Sequence, residues 1–403
     1  MTDQRPPTRR ASALTGDSTE LVWSSPRARV PRSARHGRPR VHTRYAADQA
    51  LLDTPAKRRW ALGGLAVATA APFLLTQDLT YLLSVAMVYA VAGIGLNLLT
   101  GYTGQISLGH PFFMALGAYT AAVVSGRPSS TVWGLGLDLS LGLVAATVLP
   151  ALVGLVVAPL ATRVRGLYLA VLTLGLLMLG EQVFKEWRAL TGGAGVGRAV
   201  AQPVLFGTDL SRRYAVGPLI VDKDISLYLL VLAVLVLLGV GAGNLARSRT
   251  GRALAAVRDR DIAAEVMGIP LLRTKTLAFM LSSGYAGTGG ALLSILVGRI
   301  TPEQWNIFFS ISLLAVVVIG GAARITGTVL GAAFVVLLPR LLEWAAPYLP
   351  FVATGSGGLL TVFQLQTLVF GVLIVVFLTV EPRGLFGLWH RVRAYASTWP
   401  FSY

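Results

Sequence analysis

The sequence predicts an all-α polytopic membrane protein with about ten transmembrane helices, a helix break near 101–110 and a short helix in a cytoplasmic loop. Of its 403 residues, 54% are hydrophobic and 13% are charged, whereas soluble domains contain roughly 25% charged residues. Several segments reach the ~20 apolar residues that are needed to cross a ~30 Å hydrocarbon layer. The polar stretch GYTGQISLGH (101–110) separates two apolar segments, and this interruption predicts the break.

The first predicted element is a basic tail, residues 1–59. It carries 13 Lys and Arg residues against 5 Asp and Glu residues. It has too few apolar residues to form a core, so we predict that it is disordered. A basic run can bind nucleic acid, but we favour attraction to anionic headgroups, at about 1 kcal/mol for each basic residue near the surface. We therefore expect membrane lipid, and no nucleic acid, among its partners.

Ten apolar segments follow the tail, and the charges beside them predict the topology. With the tail inside the cell, the inside loops and tails hold 26 Lys and Arg residues and the outside connections hold 8, as expected when cytoplasmic loops carry the excess. Both termini are therefore predicted to be cytoplasmic, with a transmembrane domain over 60–390 and a C-terminal tail over 391–403. The segments lie at about 60–76, 80–100, 111–126, 134–160, 167–187, 226–246, 275–297, 306–321, 327–346 and 365–380.

Two connections are longer than a turn. Residues 188–225 form a glycine-rich external loop, and residues 247–274 form the main cytoplasmic loop. The mixture of apolar and charged residues in the second loop predicts a helix over 251–267, with Gly268 as its stop and Pro270 preventing its resumption. A weakly apolar strip on this helix suits docking into a groove of another protein. The alternatives are an amphipathic helix on the membrane surface and a solvated connector.

The run IAAEVMG (262–268) resembles the cytoplasmic coupling motif of ABC importer permeases, Glu-Ala-Ala-x-x-x-Gly. Ala263, Ala264 and Gly268 match that motif, whereas Ile262 stands in place of the glutamate. Four longer segments resemble the branched-chain amino acid ABC transporter permease family in the same order, over about residues 80–390. They are LNLLTGYTGQISLGHPFFMALGAYTAA (96–122), GRALAAVRDRDIAAEVMGIPLLRTKTLAFMLSSGYAGTGGAL (251–292), VVVIGGAARITGTVLGA (316–332) and EPRGLFGL (381–388).

This resemblance implies a permease subunit of an ABC importer in the cell membrane. It implies a second permease subunit, two ATP-binding subunits that use ATP and Mg²⁺, and an extracytoplasmic solute-binding protein that docks on 188–225 and 298–305. The chain itself has no Walker A sequence, so it is expected to bind no cofactor and to be no enzyme. Branched-chain amino acids are the implied solute, with urea and short amides as alternatives. The residues implied to couple to the ATPase are Arg258, Asp261, Ala263, Ala264, Glu265 and Gly268.

The interruption at 101–110 has the composition of an unwound segment. Its glycines permit unwinding, its small polar residues can satisfy freed backbone groups, and Pro111 fits the first turn of a new helix. Half-helix ends favour opposite charges, and an amino acid offers both. The alternative is an ordinary cytoplasmic turn with Gln105 and His110 facing solvent. We predict that the following residues line or border a translocation path: Asn97, Thr100, Gly101, Thr103, Gly104, Gln105, Ser107, Gly109 and His110.

Other polar and small residues favour structural interpretations. The runs at 282–292 and 320–332 predict close helix packing, and Arg340 and Glu343 predict a pair one helical turn apart. Asp138 and Glu181 lie within or beside apolar segments, where ionisable residues are candidates for function by default. The chain has no cysteine, and two of its four histidines lie in the tail. Thiolate chemistry is thus excluded, and a clustered imidazole metal site is not expected.

A stand-alone secondary transporter or channel is the rival function. Ion-coupled carriers place carboxylates or imidazoles at mid-membrane, and these are scarce here. A membrane-embedded enzyme ranks third, since no constellation of Asp, Glu and His recurs at the predicted membrane surface.

Overall fold

The protein is described here from a computed structural model in which helices dominate. The structure describes residues 55–128, 132–164, 166–200, 203–216, 219–348, 352–353, 360–380, 384–387, 391 and 395. The predicted N-terminal tail lies outside the described residues up to residue 54, and its last five residues belong to the first helix. Of the predicted C-terminal tail, the structure describes the backbone at two positions.

The helices are α1 (Pro55–Leu74), α2 (Gln77–Leu96), α3 (His110–Ser125), α4 (Leu139–Thr162), α5 (Leu167–Glu186), α6 (Arg188–Thr191), α7 (Lys223–Arg247), α8 (Arg249–Asp259), α9 (Asp261–Val266), α10 (Leu271–Val297), α11 (Ile307–Gly320), α12 (Ile325–Ala345) and α13 (Val362–Val380). A π turn (Asn97–Gly101) extends α2, and 3₁₀ turns cover Pro302–Gln304 and Ala346–Tyr348. The strands are β1 (Arg198–Ala199), β2 (Val204–Leu205), β3 (Thr208–Asp209), β4 (Tyr214–Val216), β5 (Leu219–Val221), β6 (Arg299–Ile300), β7 (Val352–Ala353) and β8 (Leu360–Thr361). They form two-stranded pairs: β1 with β6, β2 with β3 and β4 with β5, all antiparallel, and β7 with β8, parallel.

Each of the ten predicted apolar segments coincides with a helix, and the ends agree within about five residues. Among the described residues, six helices are long and apolar enough to cross a membrane: α2 with its π turn, α4, α5, α7, α10 and α12. Helices α3 and α11 are shorter, with 16 and 14 residues. The chain is therefore a multi-pass membrane protein, and the count of about ten spans stays a prediction.

Helix α10 lies at the centre, and α2, α3 and α4 pack along it. Its small residues let the helix backbones approach closely. A Cβ added at Gly290 would lie 1.9 Å from the Met114 carbonyl oxygen of α3, and one at Gly287 would lie 2.2 Å from the Ala146 carbonyl oxygen of α4. Lipid tails provide no hydrophobic force between helices, so close packing stabilises their association. The interpretation of 282–292 as a packing run is confirmed.

The second small-residue run forms the crossing of α11 and α12. A Cβ added at Gly320 would lie 2.3 Å from the Gly327 carbonyl oxygen, and one at Gly331 would lie 2.3 Å from the Val316 carbonyl oxygen. Only residues without a side chain fit at these contacts. The run at 320–332 is therefore also a packing run, and it fixes the turn between the two helices.

The ionisable residues beside the apolar segments form a helix cap and ion pairs. Asp138 is the N-cap of α4: its Oδ1 accepts a hydrogen bond from the Ser140 N–H (2.8 Å) and its Oδ2 accepts one from the Gly207 N–H (3.2 Å). The hydrogen bonds from Ser140, supported by that from Gly207, lower the pKa of Asp138 to about 2. The carboxylate is thus ionised at neutral pH and serves as a helix cap.

The other charged candidates form ion pairs one helical turn apart. Lys185 Nζ lies 2.7 Å from Glu181 Oε1 in α5, and Arg340 Nη1 lies 3.2 Å from Glu343 Oε2 in α12. The predicted pairing of Arg340 with Glu343 is confirmed. Both pairs are partly exposed, so each contributes at most about 0.5 kcal/mol to helix stability.

We expect Gly290→Ala to destabilise the membrane domain, because the added methyl group must displace the Met114 carbonyl of α3. Overpacking costs about 1–3 kcal/mol, which exceeds the gain of about 1 kcal/mol in helix propensity from glycine to alanine. Gly175→Ala in α5 is the matched control, since a Cβ there meets nothing within 4 Å. The melting temperature in detergent should fall for Gly290→Ala and hold or rise for the control. Equal shifts would contradict the close contact.

Candidate functional site

Helix α2 ends in a π turn, and the chain then leaves helical conformation before α3 begins. The π turn covers Asn97–Gly101, Gly104 adopts a φ of +71°, and His110 opens α3 with Pro111 in its first turn. π turns are frequent at functional sites, and a positive φ favours glycine. The predicted helix break is therefore present, and its irregular part is 104–109.

Three neighbouring helices supply hydrogen bonds to the break. The Leu108 N–H donates to Thr173 Oγ1 of α5 (2.9 Å), and Ser310 Oγ of α11 donates to the Leu108 carbonyl (2.7 Å). His110 Nε2 lies 3.3 Å from Ser282 Oγ of α10. Both backbone groups of Leu108 are thus paired with protein groups, and irregular backbone within a membrane requires such pairing.

Burial alternates along the extended segment. The side chains of Gln105 and Ser107 are 8% and 1% exposed, whereas Ile106 between them is 43% exposed. Gly109 is buried against α5, where an added Cβ would lie 2.9 Å from a carbonyl oxygen. Alternation is the property of an extended chain. The alternative predicted that Gln105 and His110 face solvent, and that part of it is wrong, because the two side chains are only 8% and 2% exposed.

The small polar side chains bond within the break itself. Thr100 Oγ1 donates to the Gln105 carbonyl (3.0 Å), and Thr103 Oγ1 donates to the Leu99 carbonyl (2.5 Å). Ser107 Oγ accepts from the N–H two residues further along (3.3 Å). These hydroxyls therefore satisfy backbone groups that unwinding has freed.

Two buried polar atoms of the break have no hydrogen-bond partner in the described part of the chain: Gln105 Oε1 and His110 Nδ1. The amide oxygen is an acceptor, and the imidazole nitrogen is a donor or an acceptor according to the tautomer. A buried polar group without a partner costs about 1–3 kcal/mol. These two atoms are consequently the ones in the break that favour a polar ligand.

Asn97 binds the turn between α11 and α12 instead of facing the break. Its Oδ1 accepts a hydrogen bond from the Ala323 N–H (2.8 Å). Its Nδ2 donates to Thr328 Oγ1 (2.7 Å) and to the Arg324 carbonyl (3.2 Å). Gly101 faces the same turn, where a Cβ would lie 2.5 Å from the Ala323 nitrogen. These two predicted path residues therefore position a neighbouring turn.

The predicted cytoplasmic loop contains two helices where the sequence predicts one. Helix α8 ends at Asp259 and α9 begins at Asp261, because Arg260 between them is extended (φ −155°, ψ 105°). Asp261 Oδ1 accepts from the adjacent Ile262 N–H (2.9 Å), and local bonds of this kind compete with a continuous helix. The prediction of a single helix over 251–267 is therefore wrong.

Helix α8 joins the loop to the break. Its residues Leu254 and Val257 are buried, so this helix is anchored on the membrane domain. Arg258 of the same helix lies against Gly104, where an added Cβ would be 3.5 Å from Arg258 Cγ. The predicted coupling residue Arg258 and the predicted path residue Gly104 are thus neighbours in space.

Helix α9 carries an exposed apolar surface, which we call the α9 tip. It consists of Ile262, Val266 and Met267, which are 66%, 82% and 82% exposed. Asp261 Oδ2 lies 3.6 Å from Lys275 Nζ of α10, so an ion pair ties this helix to the central helix. The tip therefore projects from the domain on a helix that is held at its first residue.

A Schellman motif ends α9 at Gly268, as predicted. Gly268 adopts a φ of +83°, its N–H donates to the Glu265 carbonyl (2.9 Å), and the Ile269 N–H donates to the Ala264 carbonyl (3.0 Å). Of the predicted coupling residues, Ala263, Glu265 and Gly268 are exposed here. Ala264 is only 4% exposed, so its methyl group packs within the chain.

Sequence reasoning missed the residues that hold the break from other helices. Thr173, Ser282 and Ser310 each contribute one hydroxyl at its surface. The signal was a single small polar residue within an apolar segment, but such residues also bond within their own helix. Only the packing of α5, α10 and α11 distinguishes the two uses.

The predicted external loop is fixed to the opposite end of α3 by Arg198. This buried side chain donates to the carbonyls of Ala122 (2.8 Å) and Leu190 (2.9 Å), and also to that of Trp133. Strand β1 pairs with β6, which joins the loop to the segment that follows α10. The two segments predicted to receive a solute-binding protein therefore form one surface.

Comparison with known proteins identifies one family and several relatives that are named as permease proteins. The family described as "Branched-chain amino acid transport system / permease component" matches residues 79–378. One relative is the high-affinity branched-chain amino acid transport system permease protein LivM of Salmonella typhimurium, which is 31% identical over 291 residues, 69% of this chain and 67% of the relative. LivM of Escherichia coli has the same identity over the same shares of the two chains. Probable branched-chain amino acid transport permease protein LivH of Methanocaldococcus jannaschii is 26% identical over 294 residues, 70% of this chain and 86% of the relative. No solved structure matches the chain significantly.

We expect Asn97→Leu, which keeps a similar side-chain size, to lower stability. The substitution leaves the Ala323 N–H without its Asn97 Oδ1 acceptor, and a buried unsatisfied group costs about 1–3 kcal/mol. Asn244→Leu is the matched control, because Asn244 is exposed on α7. The melting temperature in detergent should fall for Asn97→Leu alone. Equal melting temperatures for both variants would contradict the role assigned to Asn97.

Proposed function

This chain belongs to the family of branched-chain amino acid transport permease components, and on that premise we propose that it is the transmembrane permease subunit of an ATP-driven ABC importer. The proposed solute is a branched-chain amino acid, because the LivM and LivH relatives are named for that transport. Urea and short amides are the alternative solutes.

The proposal assigns ATP chemistry to partner chains. Two ATP-binding subunits hydrolyse ATP with Mg²⁺, and a second permease subunit completes the path. An extracytoplasmic binding protein delivers the solute to the surface formed by 188–225 and 298–305, which the pairing of β1 with β6 supports. This chain is not an enzyme and binds no cofactor in the proposed mechanism.

We also propose about ten spans with both termini in the cytoplasm. The permease domain covers 60–390, with the coupling loop at 247–274, and cytoplasmic tails cover 1–59 and 391–403. The excess of Lys and Arg on the proposed inner side supports this orientation.

The exposed α9 tip carries the proposal. Its apolar side chains, Ile262, Val266 and Met267, are exposed on a helix that is anchored through α8. The neighbouring acids, Asp261 and Glu265, disfavour embedding in an anionic membrane. A short helix with an apolar surface fits a groove in a partner protein. We assign that groove to an ATP-binding subunit, so α9 is the proposed coupling helix.

Two contacts give a route from the coupling helix to the break. Arg258 of α8 lies against Gly104, where a Cβ would approach it to 3.5 Å. The Asp261 ion pair ties α9 to α10, and Ser282 of α10 contacts His110. Closure of the ATP-binding subunits would therefore displace both sides of 104–109 together.

The break offers partners for both ends of an amino acid. Helix α3 begins at His110, and the N-terminal end of a helix favours a carboxylate. Helix α2 ends beside Thr103, and a C-terminal end favours an ammonium group. Gln105 Oε1, which is buried without a partner among the described residues, can accept a hydrogen bond from that ammonium. We therefore place the solute path beside 104–110.

Replacing Val266 and Met267 together by Asp should abolish attachment of the ATP-binding subunits, because the proposed groove would receive two charges in place of an apolar surface. Loss of an interface anchor costs about 2 kcal/mol or more, which is roughly a 30-fold loss of affinity. Co-purification and ATP-driven leucine uptake in vesicles measure the effect. The melting temperature should hold, since both side chains are 82% exposed.

The control for attachment of the ATP-binding subunits is Val196→Asp, at an exposed apolar position (65%) in the predicted external loop. Normal attachment and uptake by the double variant would overturn the coupling assignment. Uptake by this chain alone, driven by an ion gradient and indifferent to ATP, would favour a stand-alone transporter.

Single cysteines in the break should respond to nucleotide, and the natural chain is a clean background because it contains no cysteine. Ile106→Cys should react with an impermeant thiol reagent in the resting state, whereas Ser107→Cys should be protected, since the native side chains are 43% and 1% exposed. During ATP turnover in the complete transporter the protection of Ser107→Cys should be lost. Phe206→Cys, at an 82% exposed position away from the break, is the control whose labelling should ignore ATP. Labelling of all positions that ignores ATP would contradict a path at the break.

A further inference from the structure

A cavity of about 660 Å³ lies between α7 and α12, beside the end of α2. Its lining changes character from one end to the other, with arginines at one end and aliphatic residues along the helices. We propose that this cavity binds one anionic phospholipid, with the phosphate at the arginine end. The lining residues are Tyr102, Leu235, Val236, Gly239, Val240, Gly243, Ala246, Arg247, Ala323, Arg324, Ile325, Thr326, Val329 and Phe386.

The arginines lie at one membrane surface. Arg247 is the last residue of α7, and Arg324 immediately precedes α12. Both helices are among the six that can cross a membrane, so the two guanidinium groups lie where a span meets the headgroup layer. Both arginines line the cavity together with Tyr102.

The structure holds Arg324 in place. Its guanidinium carbon lies 5.2 Å from the centre of the Phe386 ring, a cation–π contact. Its carbonyl accepts a hydrogen bond from Asn97 Nδ2 (3.2 Å), which fixes the backbone. A guanidinium that is held in place presents a planar fork of N–H donors, and this fork matches two oxygens of a phosphate group. A carbonyl-rich or zwitterionic ligand does not require a guanidinium at its site.

The rest of the cavity has the dimensions of an acyl chain. Leu235, Gly239, Gly243 and Arg247 follow one another at intervals of four residues, so they lie on one face of α7. Twelve residues of helix from Leu235 to Arg247 span about 18 Å. Gly239 leaves this face open, because a Cβ added there meets nothing within 4 Å.

The arginine end and the apolar groove together favour a lipid over a free anion as the ligand of this cavity. Inorganic phosphate would use only the arginine end, and about 18 Å of apolar groove would remain without an occupant. A phospholipid satisfies both ends, and basic sites at the inner ends of membrane helices bind anionic headgroups in this way. The net charge of the lipid should therefore determine its affinity, and the open groove should determine whether any lipid enters.

The test uses the full-length chain, purified together with the transporter subunits that accompany it. Native mass spectrometry would measure binding of phosphatidylglycerol and of phosphatidylcholine with the same acyl chains. We expect phosphatidylglycerol to bind about tenfold more tightly. Arg247→Gln and Arg324→Gln should each reduce that preference about fivefold, from the contribution of one basic residue to anionic lipid binding.

A second variant tests the groove independently of the arginines. Gly239→Leu should fill the open face and reduce binding of both lipids at least tenfold, without unfolding the chain. Gly175→Leu in α5, which also meets nothing within 4 Å, is the matched control and should bind as the natural chain does.

Three outcomes would overturn the proposal. Equal binding of both lipids would remove the role of the arginines. Displacement of phosphatidylglycerol by millimolar inorganic phosphate, with no effect of Gly239→Leu, would identify a free-anion site. Absence of bound lipid in the assembled transporter would show that another subunit covers the cavity.

Discussion

The architecture depends on one constraint: the backbone of 104–109 leaves helical conformation between two apolar helices, and each unpaired backbone group within a membrane costs several kcal/mol. Water is absent from hydrocarbon, so the partners must be protein groups. Thr173 and Ser310 bond the N–H and the carbonyl of Leu108, and Ser282 contacts His110. Helices α5, α10 and α11 must therefore converge on the break, and this convergence fixes their positions relative to α2 and α3.

Such convergence requires helices without bulky contact surfaces. On α10, Gly287 and Gly290 allow the backbones of α4 and α3 to approach within direct contact. The same helix begins at Leu271, within the predicted coupling loop, and runs for 27 residues, a length of about 40 Å. Because α10 is packed along most of its length, we expect a displacement at its first turn to move the helix as a rigid body. This geometry suits the proposed mechanism, in which a distant ATPase reshapes the break.

Asn97 links the break to the second proposed site. Its carboxamide binds Ala323, Arg324 and Thr328, so the π turn of α2 and the turn between α11 and α12 share one set of hydrogen bonds. Arg324 faces the cavity that we assign to an anionic lipid. Under both proposals, a bound lipid would contact the turn that Asn97 joins to the π turn before the break, and lipid composition would influence transport.

Local chemistry alone determined much of this protein. Hydropathy located ten of the described helices, glycine and small polar residues located the break, and Gly268 located the end of α9, because each of these signals acts through neighbours within a few residues. Only the tertiary structure separated the path residues by role. It showed that Asn97 bonds groups more than 220 residues away, that Arg260 divides the loop helix in two, and that Ala264 is buried while Val266 is exposed. These outcomes depend on which helices pack together, and the partner of a buried polar group lies beyond the range of any local sequence pattern.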